Sequence, residues 1–319
     1  MNIVVLEAES IGSDVSWERL KQYGELVLYQ TTRDEEIAER ISDADIIVPN
    51  KCLLRKENLE QASRLKLICE AATGYNNIDL EVCRELGITV TNVESYSTVA
   101  VAQHTFAMLL QVLEKLDYYT TFVESGRYSA QDSFTNMGMP FHELCGMTMG
   151  IIGLGNIGRR VAEIATAFGM KVVYYSASGH RQEVPYEMVT LDTLLGESDV
   201  VSCHAPLNDN TRGMMNREAF RKMKNTGIFL NLGRGPIVVE EDLVEAIERG
   251  DIQAAALDVF SVEPMKRDSP LLAIQNRDKL FLTPHIAWAT VEARERLVAD
   301  VEASIRCFLA GKPRSVVSE

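Results

Sequence analysis

The sequence predicts an α/β protein of two doubly wound domains, each a parallel sheet between layers of helix. Three observations lead there. Short apolar runs that read as buried strands alternate with helical stretches along the whole chain, the pattern of parallel strands joined by crossover helices. A glycine-rich turn lies mid-chain between one such strand and a helix. The length, 319 residues, exceeds what a single core commonly organises, so two domains are expected.

The elements follow in order. The first residues, Met1-Asn2-Ile3-Val4-Val5-Leu6, lack the basic region and cleavage site of a signal peptide and read as a strand. Further strands are expected near 26–29, 46–48, 67–69 and 89–91, with short helices over 17–23, 34–41 and 79–86. Gly24 and Gly87 stand where a helix would stop before the next strand. A long helix is expected over 98–124, with an apolar stripe of Val99, Ala102, Phe106, Leu109, Leu110, Leu113 and Leu116. Residues 122–144 show no clear periodicity. Beyond the glycine turn, strands are expected near 171–175, 200–204, 227–232, 254–258 and 280–283. A last helix over 290–309 carries a stripe of Ala293, Leu297, Val301, Ile305 and Phe308.

The turn itself is Gly153-Leu154-Gly155-Asn156-Ile157-Gly158, directly after the apolar run Met147–Ile152. It opens a helix marked by Ile157, Val161, Ile164, Ala165 and Phe168, which Gly169 ends. Strand, glycine turn, helix and strand together make a dinucleotide-binding unit. Gly153 allows the tight turn, Gly155 lets a pyrophosphate reach the backbone, and Gly158 lets helix and strand pack closely. The N–H groups of Asn156 and Ile157 at the helix start would hold the phosphates.

Composition narrows the class further. A net charge of −14 argues against nucleic acid or an anionic membrane as the main partner. No apolar stretch is long enough to span a bilayer, and a cytoplasmic protein is expected. Six cysteines without a C-x-x-C pair suggest buried, reduced thiols, and none has the helix-start or His-paired setting of a catalytic thiol.

Four ionisable side chains stand near the ends of later strands. Arg234 lies in Asn231-Leu232-Gly233-Arg234-Gly235, where open α/β sheets bind ligands, and its planar fork suits a carboxylate. Its flanking glycines suggest close approach of a ligand, although a structural ion pair is the plainer explanation of a lone Arg. Asp258 and Glu263 lie at and just beyond another strand end, and His285 follows a third in Thr283-Pro284-His285. A carboxylate beside a histidine favours imidazolium, the proton donor that carbonyl reduction requires. His104, His142 and His180 are expected to be ordinary core or surface residues.

Taken together, these motifs resemble the D-isomer-specific 2-hydroxyacid dehydrogenases, in particular their glycerate dehydrogenase/hydroxypyruvate reductase branch. The likeness runs from Pro49-Asn50-Lys51 to Trp288-Ala289-Thr290. Ala71-Ala72-Thr73-Gly74-Tyr75-Asn76-Asn77-Ile78-Asp79 is similar to the family's substrate-carboxylate loop, and Val101–Thr105 to its interdomain and dimer helix. The resemblance implies a Rossmann nucleotide-binding domain over 99–288. A flavodoxin-like substrate domain would comprise 1–98 plus 289–319, with a cleft between the two.

The resemblance also implies roles. The substrate, a small anionic 2-keto or 2-hydroxy acid, would place its carboxylate on the N–H groups of Thr73 and Gly74. Arg234 would orient that carboxylate and polarise the keto oxygen. His285 would donate the proton, aligned by Glu263. Asp258 would bind the nicotinamide carboxamide, Leu232 and Gly233 would lie near the nicotinamide, and Ala205, Pro206 and Thr211 would line the adenosine side. Asn50 and Lys51 would reach the distal end of the substrate, and Trp288 would either wall the pocket or simply pack. A homodimer is expected, with no metal ion. A dimeric, nucleotide-sensing interaction protein of corepressor type is the alternative on the same fold.

One position departs from the pattern. Dinucleotide sites of this kind carry Asp or Glu at the end of the second strand, where it binds the ribose 2′-hydroxyl. Here that residue is Ser176, followed by Ala177-Ser178-Gly179-His180-Arg181 without a carboxylate. Ser176, Ser178 and Arg181 could each donate to a 2′-phosphate, so the cofactor is expected to be NAD(H) or NADP(H), with a lean toward NADP(H).

Overall fold

Five short strands near the N-terminus pair in parallel: β1 (Asn2–Val5), β2 (Glu25–Leu28), β3 (Ile46–Val48), β4 (Leu67–Cys69) and β5 (Thr89–Thr91). Their order, β2-β1-β3-β4-β5, reverses at β1, which is the flavodoxin-like arrangement. Alternate side chains of each strand serve opposite faces. Val4, Ile47, Ile68 and Val90 pack against Ile37, Ile41, Leu59 and Val82. Those four come from α1 (Ile37–Ile41), the segment containing α2 (Lys56–Leu59), and α3 (Leu80–Glu85), whose start Asp79 caps by accepting the Val82 N–H. The strands are so apolar because both faces are covered.

The second sheet has seven strands: β6 (Thr148–Ile152), β7 (Lys171–Tyr175), β8 (Glu187–Met188), β9 (Val200–Cys203), β10 (Ile228–Asn231), β11 (Ala254–Leu257) and β12 (Leu280–Leu282). All are parallel, in the order β12-β11-β10-β9-β6-β7-β8, so the switch point lies between β6 and β9. The helices are α4 (Thr98–Glu114), α5 (Leu116–Glu124), α6 (Asn156–Ala167), α7 (Leu191–Glu197), α8 (Arg217–Lys222), α9 (Glu240–Arg249) and α10 (Pro270–Ala273). Strand β11 is three alanines and a leucine, all buried, and α4 packs on it where larger side chains would hold the helix away.

The last helix, α11 (Val291–Leu309), is capped by Thr290, which accepts the Ala293 N–H. Its residues Leu297, Val298, Val301 and Ile305 belong to the core formed with Ile3, Val5, Ile46, Val48 and Leu67 of the first sheet. By contacts the chain of this computed structural model, described over residues 1–318, divides into two units. One is Met1–Ser97 with the segment from Trp288 onward, and the other is Thr98–Ala287.

Two expectations need correction. The single helix over 98–124 is two helices, broken at Lys115, whose backbone is left-handed at φ 55°. Nine residues of α4 are buried and none of α5 are. The apolar stripe therefore continues past the surface that holds it: Leu113 is buried, but Leu116 is half exposed. The thiols also differ from one another. Cys52, Cys69, Cys83 and Cys203 are buried and free, whereas Cys145 is exposed and Cys307 intermediate. Burial pushes the thiols of Cys69 and Cys203 up to about 12, so both are inert at neutral pH.

Candidate active site

In the unit Thr98–Ala287, the sequence-predicted residues follow the carboxyl ends of successive strands. After β6 the three glycines divide their work. Gly153 has φ 91°, and a Cβ there would lie 2.7 Å from the Ala205 backbone, so it sets the turn and admits the loop after β9. A Cβ on Gly158 would strike the Gly153 carbonyl oxygen, so this residue serves helix–strand packing. A Cβ on Gly155 would meet nothing within 4 Å.

Gly155 is also the N-cap of the twelve-residue α6, where no side chain caps the helix and no acidic residue occupies the first turn. Open space, uncapped N–H groups such as that of Ile157, and the positive end of the helix dipole fit a bound pyrophosphate. Asn156 opens the first turn and is exposed. At the end of β7, Ser176 Oγ and Ser178 Oγ are 3.1 Å apart, and Arg181 is exposed. A residue the sequence reading passed over, Arg159 on α6, donates from Nε to Gln182 Oε1 at 2.9 Å in the same loop.

After β9, Ala205 is buried and Pro206 exposed. Thr211 is fully buried, and its hydroxyl donates to the Pro206 carbonyl at 2.7 Å, so it shapes this loop from within. After β10, Leu232 is buried and the Arg234 side chain is exposed, its Nη1 donating to the Gly233 carbonyl at 2.9 Å. No salt bridge among the described residues involves Arg234.

The glycines flanking Arg234 were expected to admit a ligand, but the space beside each is taken by protein. A Cβ on Gly233 would lie 2.9 Å from the Ala205 carbonyl oxygen, and one on Gly235 would strike the Phe260 carbonyl. They let the loops after β9 and β11 close on the β10 end.

The loop after β11 carries Glu263. Its Oε1 accepts the Phe260 N–H at 2.9 Å, and its Oε2 lies 2.7 Å from His285 Nδ1. The pair is partly exposed, with 30% of the His285 side chain and 35% of the Glu263 side chain accessible. A carboxylate on Nδ1 orients the ring and leaves Nε2 as the nitrogen available for proton transfer. The backbone at His285 is left-handed, φ 55°. Asp258, 1% exposed, holds this turn: Oδ1 accepts the Ile286 N–H and Oδ2 the Ala287 N–H, each at 2.9 Å. The sequence offered Asp258 only as a cofactor ligand; its anchoring of the histidine turn had no local signal.

In the other unit, Asn50 and Lys51 follow β3, and Thr73 and Gly74 follow β4. Glu7 Oε2 accepts three successive backbone N–H groups, those of Asn50 (3.1 Å), Lys51 (2.7 Å) and Cys52 (2.9 Å). Asn50 Nδ2 also donates to Ser10 Oγ at 2.8 Å. The Thr73 loop is tied down by its hydroxyl on the Val93 carbonyl and by Asn92 Nδ2 on its own carbonyl, both 2.8 Å. Its exposed position and the N–H groups of Thr73 and Gly74 suit an anion. Glu70, just before this loop, is fully buried; Oε2 accepts Asn77 Nδ2 at 3.1 Å, while Oε1 has no partner among the described residues. Burial pushes its carboxyl well above the ordinary range. Trp288 packs edge-to-face on Tyr96, centroids 6.3 Å apart. Among the described residues no group of three potential ligands could hold a metal ion, and no helix is long and apolar enough to cross a membrane.

Comparison with known proteins agrees with this geometry. Residues 106–287 match the model of the D-isomer specific 2-hydroxyacid dehydrogenase NAD-binding domain. Over the whole of both chains, the protein is 39% identical to a hydroxypyruvate reductase of Blautia hydrogenotrophica. A D-lactate dehydrogenase of Aquifex aeolicus, solved with NAD and lactic acid, superposes with a TM-score of 0.85 at 31% identity, covering 100% of this chain and 99% of that one. An acyclic imino acid reductase solved with NADPH and D-Arg superposes with a TM-score of 0.87 at 29% identity, covering 99% and 100%. None of these gives support to the sensing alternative. A nicotinamide-binding sheet edge, an ion-paired histidine and full-length likeness to such enzymes make this chain a member of the D-isomer specific 2-hydroxyacid dehydrogenase family.

Proposed function

We propose that the protein reduces small 2-keto acids to 2-hydroxy acids of D configuration, with hydroxypyruvate and glyoxylate as the preferred substrates and D-glycerate and glycolate as products. The observation that carries this reading is the His285–Glu263 pair at 2.7 Å, on the same sheet edge as Arg234 and the open space at Gly155. The nicotinamide supplies the hydride. Arg234 orients the substrate carboxylate and polarises the keto oxygen, and His285 gives that oxygen its proton from Nε2 while Glu263 stabilises the charged ring. The N–H groups of Thr73 and Gly74 bind the carboxylate, and Asn50, Lys51 and Trp288 contact the rest of the substrate. In oxidation of the hydroxy acid, His285 takes the proton back.

Both cofactors are used, with preference for NADPH. Ser176 in place of an acid removes the repulsion a 2′-phosphate would meet, and Ser176, Ser178 and Arg181 offer it donors. The active form is a homodimer in the cytoplasm. Support for dimerisation comes from Val123, Phe134, Met137 and Phe141, all exposed, with Phe134 at 88%. The test is oxidation of NADH and NADPH, in parallel, against hydroxypyruvate, glyoxylate, pyruvate and bulkier 2-keto acids. Turnover is expected on the small polar acids with both cofactors and a lower KM for NADPH. A folded protein inert on all of them overturns the reading, and a strong NADH preference overturns the cofactor assignment alone.

A further inference from the structure

His104 of α4, expected from the sequence to be an ordinary core or surface residue, is joined to the turn that carries His285. Its Nε2 lies 3.1 Å from Thr283 Oγ1, the residue just beyond β12. The Thr283 hydroxyl in turn lies 2.6 Å from Asp258 Oδ1. Met108 Sδ, 3.8 Å from the same hydroxyl, is a far weaker acceptor than a carboxylate. An ionised carboxylate only accepts, so the single hydroxyl hydrogen points at Asp258. The hydroxyl oxygen then has only lone pairs for His104, whose Nε2 must carry a hydrogen and donate it. The chain of donors runs one way, from His104 to Thr283 to Asp258.

Asp258 is where that chain becomes consequential. The same Oδ1 also accepts the Ile286 N–H and Oδ2 the Ala287 N–H. His285 lies between these amides and Thr283, and its own N–H donates to the Thr283 carbonyl at 3.0 Å. Its left-handed φ of 55° is sparsely populated for a residue with a Cβ and persists only where neighbours impose it. Rotation of the Asp258 carboxylate would release both following amides together.

We propose that His104 and Thr283 are positioning residues for the reaction: they fix the Asp258 carboxylate, which holds the left-handed turn that keeps His285 Nδ1 on Glu263. The proposal rests on the reading of His285 as proton donor. Neither residue touches the reacting atoms, and both Asp258 oxygens accept hydrogen bonds within the turn rather than facing a cofactor, so their loss should lower kcat and leave cofactor affinity and KM nearly unchanged.

The experiment compares His285→Ala, Thr283→Val, His104→Leu and His104→Gln by kcat, KM and NADH affinity from protein fluorescence. Thr283→Val keeps the shape and removes the hydroxyl. His104→Gln keeps an N–H donor that His104→Leu lacks. Thr283→Val and His104→Leu are expected to lower kcat about tenfold to a hundredfold, the usual effect of a slightly misplaced catalytic group. KM and NADH affinity should stay within about twofold, and His104→Gln should recover most of the loss. Wild-type kcat in both variants, with His285→Ala inactive, overturns the positioning role and leaves the proton donor standing. Near-normal turnover in His285→Ala overturns the underlying reading instead. Loss of kcat in proportion to NADH affinity also overturns the proposal, since it marks general loosening. Should Thr283→Val not fold, the His104 pair decides: equal kcat in His104→Leu and His104→Gln refutes the chain.

Discussion

Replacing Gly155 with alanine should leave the fold intact and weaken nicotinamide binding, while the same change at Gly158 should do damage of another kind. At Gly155 an added Cβ meets nothing within 4 Å, and φ is −77°, acceptable to any residue. Alanine is a poorer N-cap than glycine by about 0.5–1 kcal/mol. It also restricts the unfolded chain, which offsets about 0.4–1 kcal/mol. The two nearly cancel, so Tm should move by less than about 2 °C. The methyl group, however, occupies the space through which a pyrophosphate reaches the helix start. Losing one or two charge-assisted hydrogen bonds costs about 1.5–3 kcal/mol, or roughly a ten- to hundredfold rise in Kd.

At Gly158, helix propensity favours alanine by about 1 kcal/mol, but the methyl would strike the Gly153 carbonyl, and such overpacking costs about 1–3 kcal/mol. That variant should therefore lose stability first. NADH titration by fluorescence and thermal unfolding of both variants make the assay. Wild-type NADH affinity in a folded Gly155→Ala protein would refute the reasoning, as would a Tm loss equal to that of Gly158→Ala.

Two further outcomes are expected. His285→Ala should cut kcat by about 10²–10⁴-fold, the usual contribution of a general acid, with NADH affinity preserved; steady-state kinetics on hydroxypyruvate checks it. His204, after β9, has its Nδ1 buried without a partner among the described residues, and burial lowers its pKa to about 4 although the residue as a whole is only partly buried. Between pH 6.5 and 4 the unfolded chain binds a proton the folded ring refuses, so this group's contribution is complete above pH 6.5 and is lost as pH falls. From pH 7 to 5 the loss is about 2 kcal/mol, and His204→Gln should remove it. Urea unfolding of both proteins at the two pH values is the measurement, and parallel losses would exclude His204 as the cause.

Most of the fold was legible because parallel strands are covered on both faces and read as unbroken apolar runs, as in Ile46–Val48 and Val200–Cys203. The break at Lys115 was not, since the apolar period runs through it and only the end of the packing surface stops the helix. Positions of the candidate site were legible where a charged residue follows a strand, as Arg234, Asp258 and His285 do. Their partners were not. Glu7 reaches backbone 43 to 45 residues away, and His104 meets Thr283 across 179 residues. Sequence periodicity cannot report contacts made only when separate strand ends converge. The glycines beside Arg234 were misread for the same reason, because the backbone that fills their space comes from the loops after β9 and β11.

The two charged groups assigned to the keto group are held very differently, and that difference suits their tasks. His285 is constrained on three sides: Glu263 on Nδ1, its own N–H on Thr283, and the amides after it on Asp258. A proton donor must meet a developing charge at one position, so rigidity there lowers the reorganisation needed in the transition state. Among the described residues, the exposed side chain of Arg234 bonds only to its neighbour's carbonyl. A carboxylate would replace that single contact with two charge-assisted ones, so binding itself sets the guanidinium in place. Discrimination among 2-keto acids then falls to groups beyond the carboxylate and the carbonyl.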